Sequence, residues 1–143
     1  VIPVSPEVLK RKLAVIVQNL QALEPVSRLT VEEYRQNFFQ KKGTERLMQE
    51  LIEAAIDINI HIITQLGGSA PDDYYQSFIK LGEKGAIPMS LAQELAPLAG
   101  LRNRLVHEYD AIDDTIILQA VAGCQRQYPL YIKAIEDYLT RLA

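Results

Sequence analysis

Thr44–Leu66, TERLMQELIEAAIDINIHIITQL, is the stretch on which the fold turns. Leu47, Leu51, Ala54 and Ile58 recur at helical spacing on one side, and Ile52, Ile56, Ile60 and Ile63 recur on another. Neither set alternates with a period of two, so the segment reads as a helix with two apolar stripes, ended by Gly67-Gly68. A helix apolar on two sides must be covered on two sides. One domain is expected to cover one stripe with its own helices, leaving the other for a symmetric partner.

The flanking sequence repeats the helical period. Ser5-Pro6 supplies an N-cap and a proline at the first helical position, and Leu9, Leu13, Ile16, Leu20 and Leu23 follow until Pro25. Thr30 with Glu33 makes a capping box for a short helix carrying Tyr34 and Phe38, expected to stop near Gly43. Asp72-Asp73 opens another short helix with Tyr75, Phe78, Ile79 and Leu81, after which Gly82, Gly85 and Pro88 mark a connection. Ser90 with Gln93 reads as a further capping box. It starts a helix bearing Leu91, Leu95, Leu98, Leu101 and Leu105, irregular near Pro97. Asp113 or Asp114 caps the last helix, with an irregularity at Pro129. The expectation is all-α: an up-and-down bundle of about five or six helices, forming a single domain over residues 1–143.

Composition narrows the function. The net charge of −3 argues against sequence-blind grip on polyanions, so any nucleic-acid contact must be local. One cysteine, Cys124, excludes an internal disulfide and a cysteine-based metal site, and suits a buried thiol in a reducing cytoplasm. Charges interrupt every apolar run, and Val1–Ser5 shows no basic segment leading into one, so neither secretion nor membrane insertion is expected.

Chemistry concentrates in Leu101–Tyr109, LRNRLVHEY. At about 100° per residue, Arg102 lies roughly 40° from the centre of the leucine stripe, while Asn103 and His107 share the opposite face. Arginine and histidine at a helix C-terminus complement its dipole, and Arg104 with Glu108 is an i,i+4 charge pair, so a purely structural role accounts for these residues. The same residues offer an imidazole that exchanges protons near neutral pH beside guanidinium groups that fork onto phosphate oxygens. A metal-free ribonuclease needs that combination. Spacing alone does not choose between the two.

The segment Arg102-Asn103-Arg104-Leu105-Val106-His107-Glu108-Tyr109 resembles the R-x4-H-x-Y motif of the HepT-like toxins of the HEPN superfamily, with Arg102, His107 and Tyr109 at the matching positions. Asn103 fits the wider HEPN pattern. Further similarity lies in the basic, capped first helix, in Ala55–Ile62 of the long helix, and in Gly85-Ala86-Ile87-Pro88 leading into the motif helix. The resemblance implies a homodimer with a composite ribonuclease site between subunits. It makes Arg102 and His107 catalytic, with Asn103 and Arg104 positioning RNA. It also implies a nucleotidyltransferase antitoxin of the MntA type that attaches AMP to Tyr109. Phosphates added there would put negative charge where RNA must bind. No cofactor or metal is implied. Two other classes stay open: a non-catalytic helical binding module, and a substrate-binding partner of a nucleotidyltransferase.

Two other polar features have ordinary explanations. Asp57 and His61 stand i,i+4, a spacing for a satisfied buried pair or a polar contact at a helix interface, and also one that could orient an imidazole or hold a metal with further ligands. Lys10-Arg11-Lys12 and Lys41-Lys42 read as solvated faces, with RNA steering as the alternative.

Overall fold

The computed structural model describes residues 5–107 and 112–142. Among them are six α-helices and no strand: α1 Pro6–Leu23, α2 Val31–Arg35, α3 Phe38–Gln65, α4 Tyr74–Glu83, α5 Met89–His107 and α6 Asp114–Leu142, with one turn of 3-10 helix at Val26–Arg28. Local capping sets most of the ends. The Ser5 hydroxyl accepts from Val8 N, and Pro6 opens α1. Thr30 and Glu33 form the reciprocal capping box of α2. The Asp73 side chain accepts from Gln76 N at α4, and that of Asp113 accepts from Thr115 N at α6.

Two helix ends use glycine for its conformation. Gly67 and Gly85 hold φ near +83° and +79°. After each, the next amide reaches back to the final turn, Gly68 N to Ile63 O and Ala86 N to Leu81 O. A β-branched or bulky residue would be strained at either point.

Two expected boundaries move. Gly43 does not end a helix: α3 begins at Phe38, capped by the Asn37 side chain on Gln40 N, and runs through Gly43 to Gln65. The packed apolar face downstream outweighs the roughly 1 kcal/mol that an interior glycine costs. Ser90 is not a cap either. Pro88 O accepts from Ala92 N, so Pro88 occupies the cap and Ser90 lies in the first turn of α5. Both internal prolines, Pro97 and Pro129, sit within continuous helices.

Long-range bonds give the directions. Ser5, Lys12 and Asn19 of the first segment meet His61, Asp57 and Leu47 in turn, so α1 and α3 are antiparallel. Tyr74 of α4 lies against Arg102 and Gly82 against Ala92, so α4 and α5 are antiparallel too. The α1, α4 and α5 helices all pack on α3.

Both stripes of α3 are consequently filled from within the chain. Leu51, Ile52, Ala54, Ile56, Ile58 and Ile63 are all buried, with Leu47 and Ile60 partly so. The expectation that one stripe awaits a second copy is therefore wrong. It assumed a helix at the edge of the bundle, whereas α3 lies at its centre.

A buried polar chain crosses this core. The Tyr131 hydroxyl donates to Asn59 Oδ1 at 2.6 Å, Asn59 Nδ2 donates to Ser77 Oγ at 3.2 Å, and Ser77 Oγ donates to Tyr74 O at 2.7 Å. Each donor has an acceptor, and the bonds polarise one another from α6 through α3 into α4.

Candidate active site

The motif occupies the last turns of α5. Leu101 is buried, and Leu98 and Leu105 are partly buried against the core. These leucines fix the rotation of the helix and hence the direction of every polar residue between them.

Arg102 turns toward α3 and α4. Its Nε and one terminal nitrogen both lie 3.0 Å from Glu53 Oε1. Its other terminal nitrogen donates to Asn103 Oδ1 at 3.3 Å. The guanidinium stands 5.0 Å from the centre of the Tyr74 ring, within cation–π range. Its side chain is 18% exposed, as its place near the leucine stripe predicts. Glu53 is itself held, since Gln49 Nε2 donates to the same oxygen at 3.1 Å. A shallow cavity of about 190 Å³ opens beside the pair, lined by Glu53, Ile56, Asp57, Ile60, Tyr74 and Arg102.

Sequence reasoning missed Glu53 and Tyr74. A signal for Glu53 was present: an acid in the middle of a helix apolar on two sides has to face a gap between the stripes.

His107 is different. It is the last described residue of α5 and is exposed, as is Asn103 one turn earlier. Arg104 is half-buried, in a groove between α5 and α6 lined also by Pro97, Leu101, Ile116 and Ala120. The structure thus bonds Arg102 to Asn103 and leaves His107, one turn beyond Asn103 on the same exposed face, away from the Glu53 side. Glu108 and Tyr109, the expected charge partner of Arg104 and the expected AMP acceptor, lie outside the described residues.

Asp57 and His61 do not form a mutual pair. Asp57 bonds Lys12 Nζ at 2.9 Å, and His61 Nε2 accepts from Ser5 N at 3.3 Å; both tie α1 to α3. Among the described residues no group of three or more histidine, cysteine or acidic side chains is arranged to hold a metal ion. In the second basic run Lys41 pairs with Asp114 and Lys42 with Glu45, while Lys10 and Arg11 of the first are exposed. Cys124 is buried, and loss of solvent pushes its thiol up to about 12.

A family described as "Ribonuclease HepT-like" matches residues 16–136. The chain is 38% identical over 139 residues to a protein named tRNA nuclease HepT from Aphanizomenon flos-aquae, covering 97% of this chain and 95% of that one. It is 28% identical over 104 residues to an mRNA nuclease HepT from Shewanella oneidensis, covering 73% and 78%. Its fold matches that of a tri-AMPylated Shewanella oneidensis HEPN toxin in complex with MNT antitoxin, with a TM-score of 0.82 at 24% identity, over 93% of this chain and 99% of the other.

Proposed function

The chain belongs to the ribonuclease HepT-like family, and from that premise we propose that it is an endoribonuclease toxin whose site is completed between two copies of the chain and works without a metal ion. One observation carries this reading. Arg102 is held on the α3–α4 side by Glu53 and Tyr74, while His107 stands exposed at the end of the same helix. Five residues apart on an ideal helix, the two diverge by about 140°. A symmetric partner is the simple way to place a histidine opposite an arginine already fixed in position.

In that site His107 takes the proton of the RNA 2′-OH or returns one to the departing oxygen. Arg102 offsets the negative charge that builds on the phosphorane. Asn103 and Arg104 position the RNA backbone. Side chains supply both proton transfer and charge stabilisation, so cleavage should persist in EDTA. Transfer RNA is the first substrate to test, because the relative at 38% identity is named for it.

Control falls to Tyr109. An MntA-type nucleotidyltransferase antitoxin would catalyse attack of the phenol oxygen on the α-phosphate of ATP. Pyrophosphate leaves, the phenol proton goes to solvent, and AMP stays on the tyrosine. The added phosphate repels RNA from the adjacent site. The named state of the Shewanella toxin, tri-AMPylated and in complex with its antitoxin, supports this reading. The proposed place of action is the cytoplasm; among the described residues no helix is long and apolar enough to cross a membrane.

The deciding experiment mixes two inactive variants. Arg102→Ala and His107→Ala proteins, each unable to cut tRNA alone, should regain cleavage when combined, since mixed dimers restore one complete site. Failure to regain it, with dimers confirmed by sedimentation, would overturn the composite site. Tyr109→Phe should keep its nuclease activity in the presence of antitoxin, ATP and Mg²⁺, and mass spectrometry finding AMP on another residue would overturn that assignment.

A further inference from the structure

We propose that Glu53 is a positioning residue for the ribonuclease reaction, acting through Arg102 without touching RNA; the inference rests on the assignment of Arg102 to the scissile phosphate. An arginine side chain is long and samples many rotamers when free. Here Arg102 is restrained on three sides by groups from three helices: the Glu53 carboxylate of α3 along one edge, the Tyr74 ring of α4 against its face, and Asn103 of α5 at one tip. The Gln49 amide fixes the carboxylate in turn, and the Ser77 hydroxyl bonds the Tyr74 carbonyl, joining that residue to the buried chain from Tyr131.

The donor count shows what this restraint leaves free. A guanidinium carries five N–H groups in a fixed plane. Glu53 takes the Nε–H and one from a terminal nitrogen, and Asn103 takes one from the other terminal nitrogen. One N–H remains on each terminal nitrogen, available to phosphate oxygens. Glu53 thus fixes which edge of Arg102 faces the substrate.

This arrangement has a cost that makes it testable. Glu53 puts a negative charge close to where an RNA phosphate would sit, which opposes binding. If its purpose is orientation, removing the charge should slow catalysis without weakening RNA affinity. A residue that contacts RNA, or merely supports the fold, would not separate the two.

The test compares Glu53→Gln, Glu53→Asp and Arg102→Ala by single-turnover cleavage of labelled tRNA. Affinity for the same tRNA is measured with each change placed in the His107→Ala background, and thermal melts accompany both. Glu53→Gln keeps the shape of the side chain and suits a helix interior. It should lower the cleavage rate by up to about 10²-fold, the scale of a misplaced catalytic group, with tRNA affinity equal to wild type or tighter. Added to Arg102→Ala, it should cause no further loss. Glu53→Asp keeps the charge but shortens the arm, so it should also slow cleavage, and it decides the matter if Glu53→Gln does not fold.

Wild-type cleavage by a folded Glu53→Gln, or tRNA affinity falling in step with the rate, would overturn the inference. Wild-type cleavage by Arg102→Ala would instead overturn the reading of the site on which it stands.

Discussion

The two ends of the motif, five residues apart on one helix, sit in opposite environments. Arg102 is bonded to Glu53, which Gln49 also bonds, and lies against the Tyr74 ring, so that its side chain is largely enclosed. His107, the last described residue of α5, is exposed. The contrast teaches how such a site divides its work. In the proposed site, the group assigned to stabilise charge is oriented in advance by its own chain, and the group assigned to move protons is left for a second surface to enclose. Preorganised dipoles contribute most where they need not reorient during reaction, so enclosing the arginine and leaving the histidine open is consistent with their proposed roles.

The largest expected effect is at the open end. His107→Ala should reduce RNA cleavage by about 10²–10⁴-fold, the usual contribution of a general acid or base. Because the residue is exposed, stability should change by less than about 0.5 kcal/mol. Undiminished cleavage, or a large drop in melting temperature, would erase the contrast between the two ends.

The enclosed end should behave in the reverse way. Asn59→Ala leaves the Tyr131 and Ser77 hydroxyls without their mutual link in the core, and should cost about 1–3 kcal/mol, read from the urea midpoint. If the midpoint does not move, the buried chain behind Tyr74 does not stabilise this side of the molecule.

A third measurement separates interior from surface by reactivity. The Cys124 thiol, pushed up to about 12 by burial, should react with a disulfide reagent only on global unfolding, and so at the same denaturant concentration at which circular dichroism is lost. Fast labelling of the native protein would contradict the packing of α6 on the core.

The smallest effect concerns the first turn of α6. Burial raises the Asp114 carboxyl, but hydrogen bonds from Arg35 and Lys41 outweigh it and hold the group below the ordinary carboxylate range. A carboxyl lowered in the folded state stabilises above its unfolded value near 3.9, and that stabilisation is lost as pH falls through the lower folded value. Asp114→Asn should therefore destabilise at neutral pH by at most about 1 kcal/mol, since Arg35 is mostly exposed. The difference from wild type should vanish in strong acid. A difference independent of pH would point to helix capping instead of charge.

Much of this was legible in the chain itself. The apolar periods identified the helices, and Ser5, Thr30, Asp72-Asp73 and Asp113 or Asp114 marked starts, of which Ser5, Thr30, Asp73 and Asp113 supply the capping side chains. The half-buried position of Arg102 and the exposed face shared by Asn103 and His107 also followed from helical spacing. These features depend on bonds and directions within a few residues, which a sequence displays directly. The tertiary structure decided what depends on distant neighbours. It surrounded α3, so that both of its stripes are filled by this chain and the stripe argument for a second copy disappears. It drew Asp57 and His61 apart to separate partners on the α1 side. It also paired Arg102 with Glu53, 49 positions away. Helical spacing places Glu53 in a gap between the stripes of α3 but does not pair it with Arg102; only the packing of α5 across α3, driven by burial of the leucines between the motif residues, brings that carboxylate and that guanidinium together.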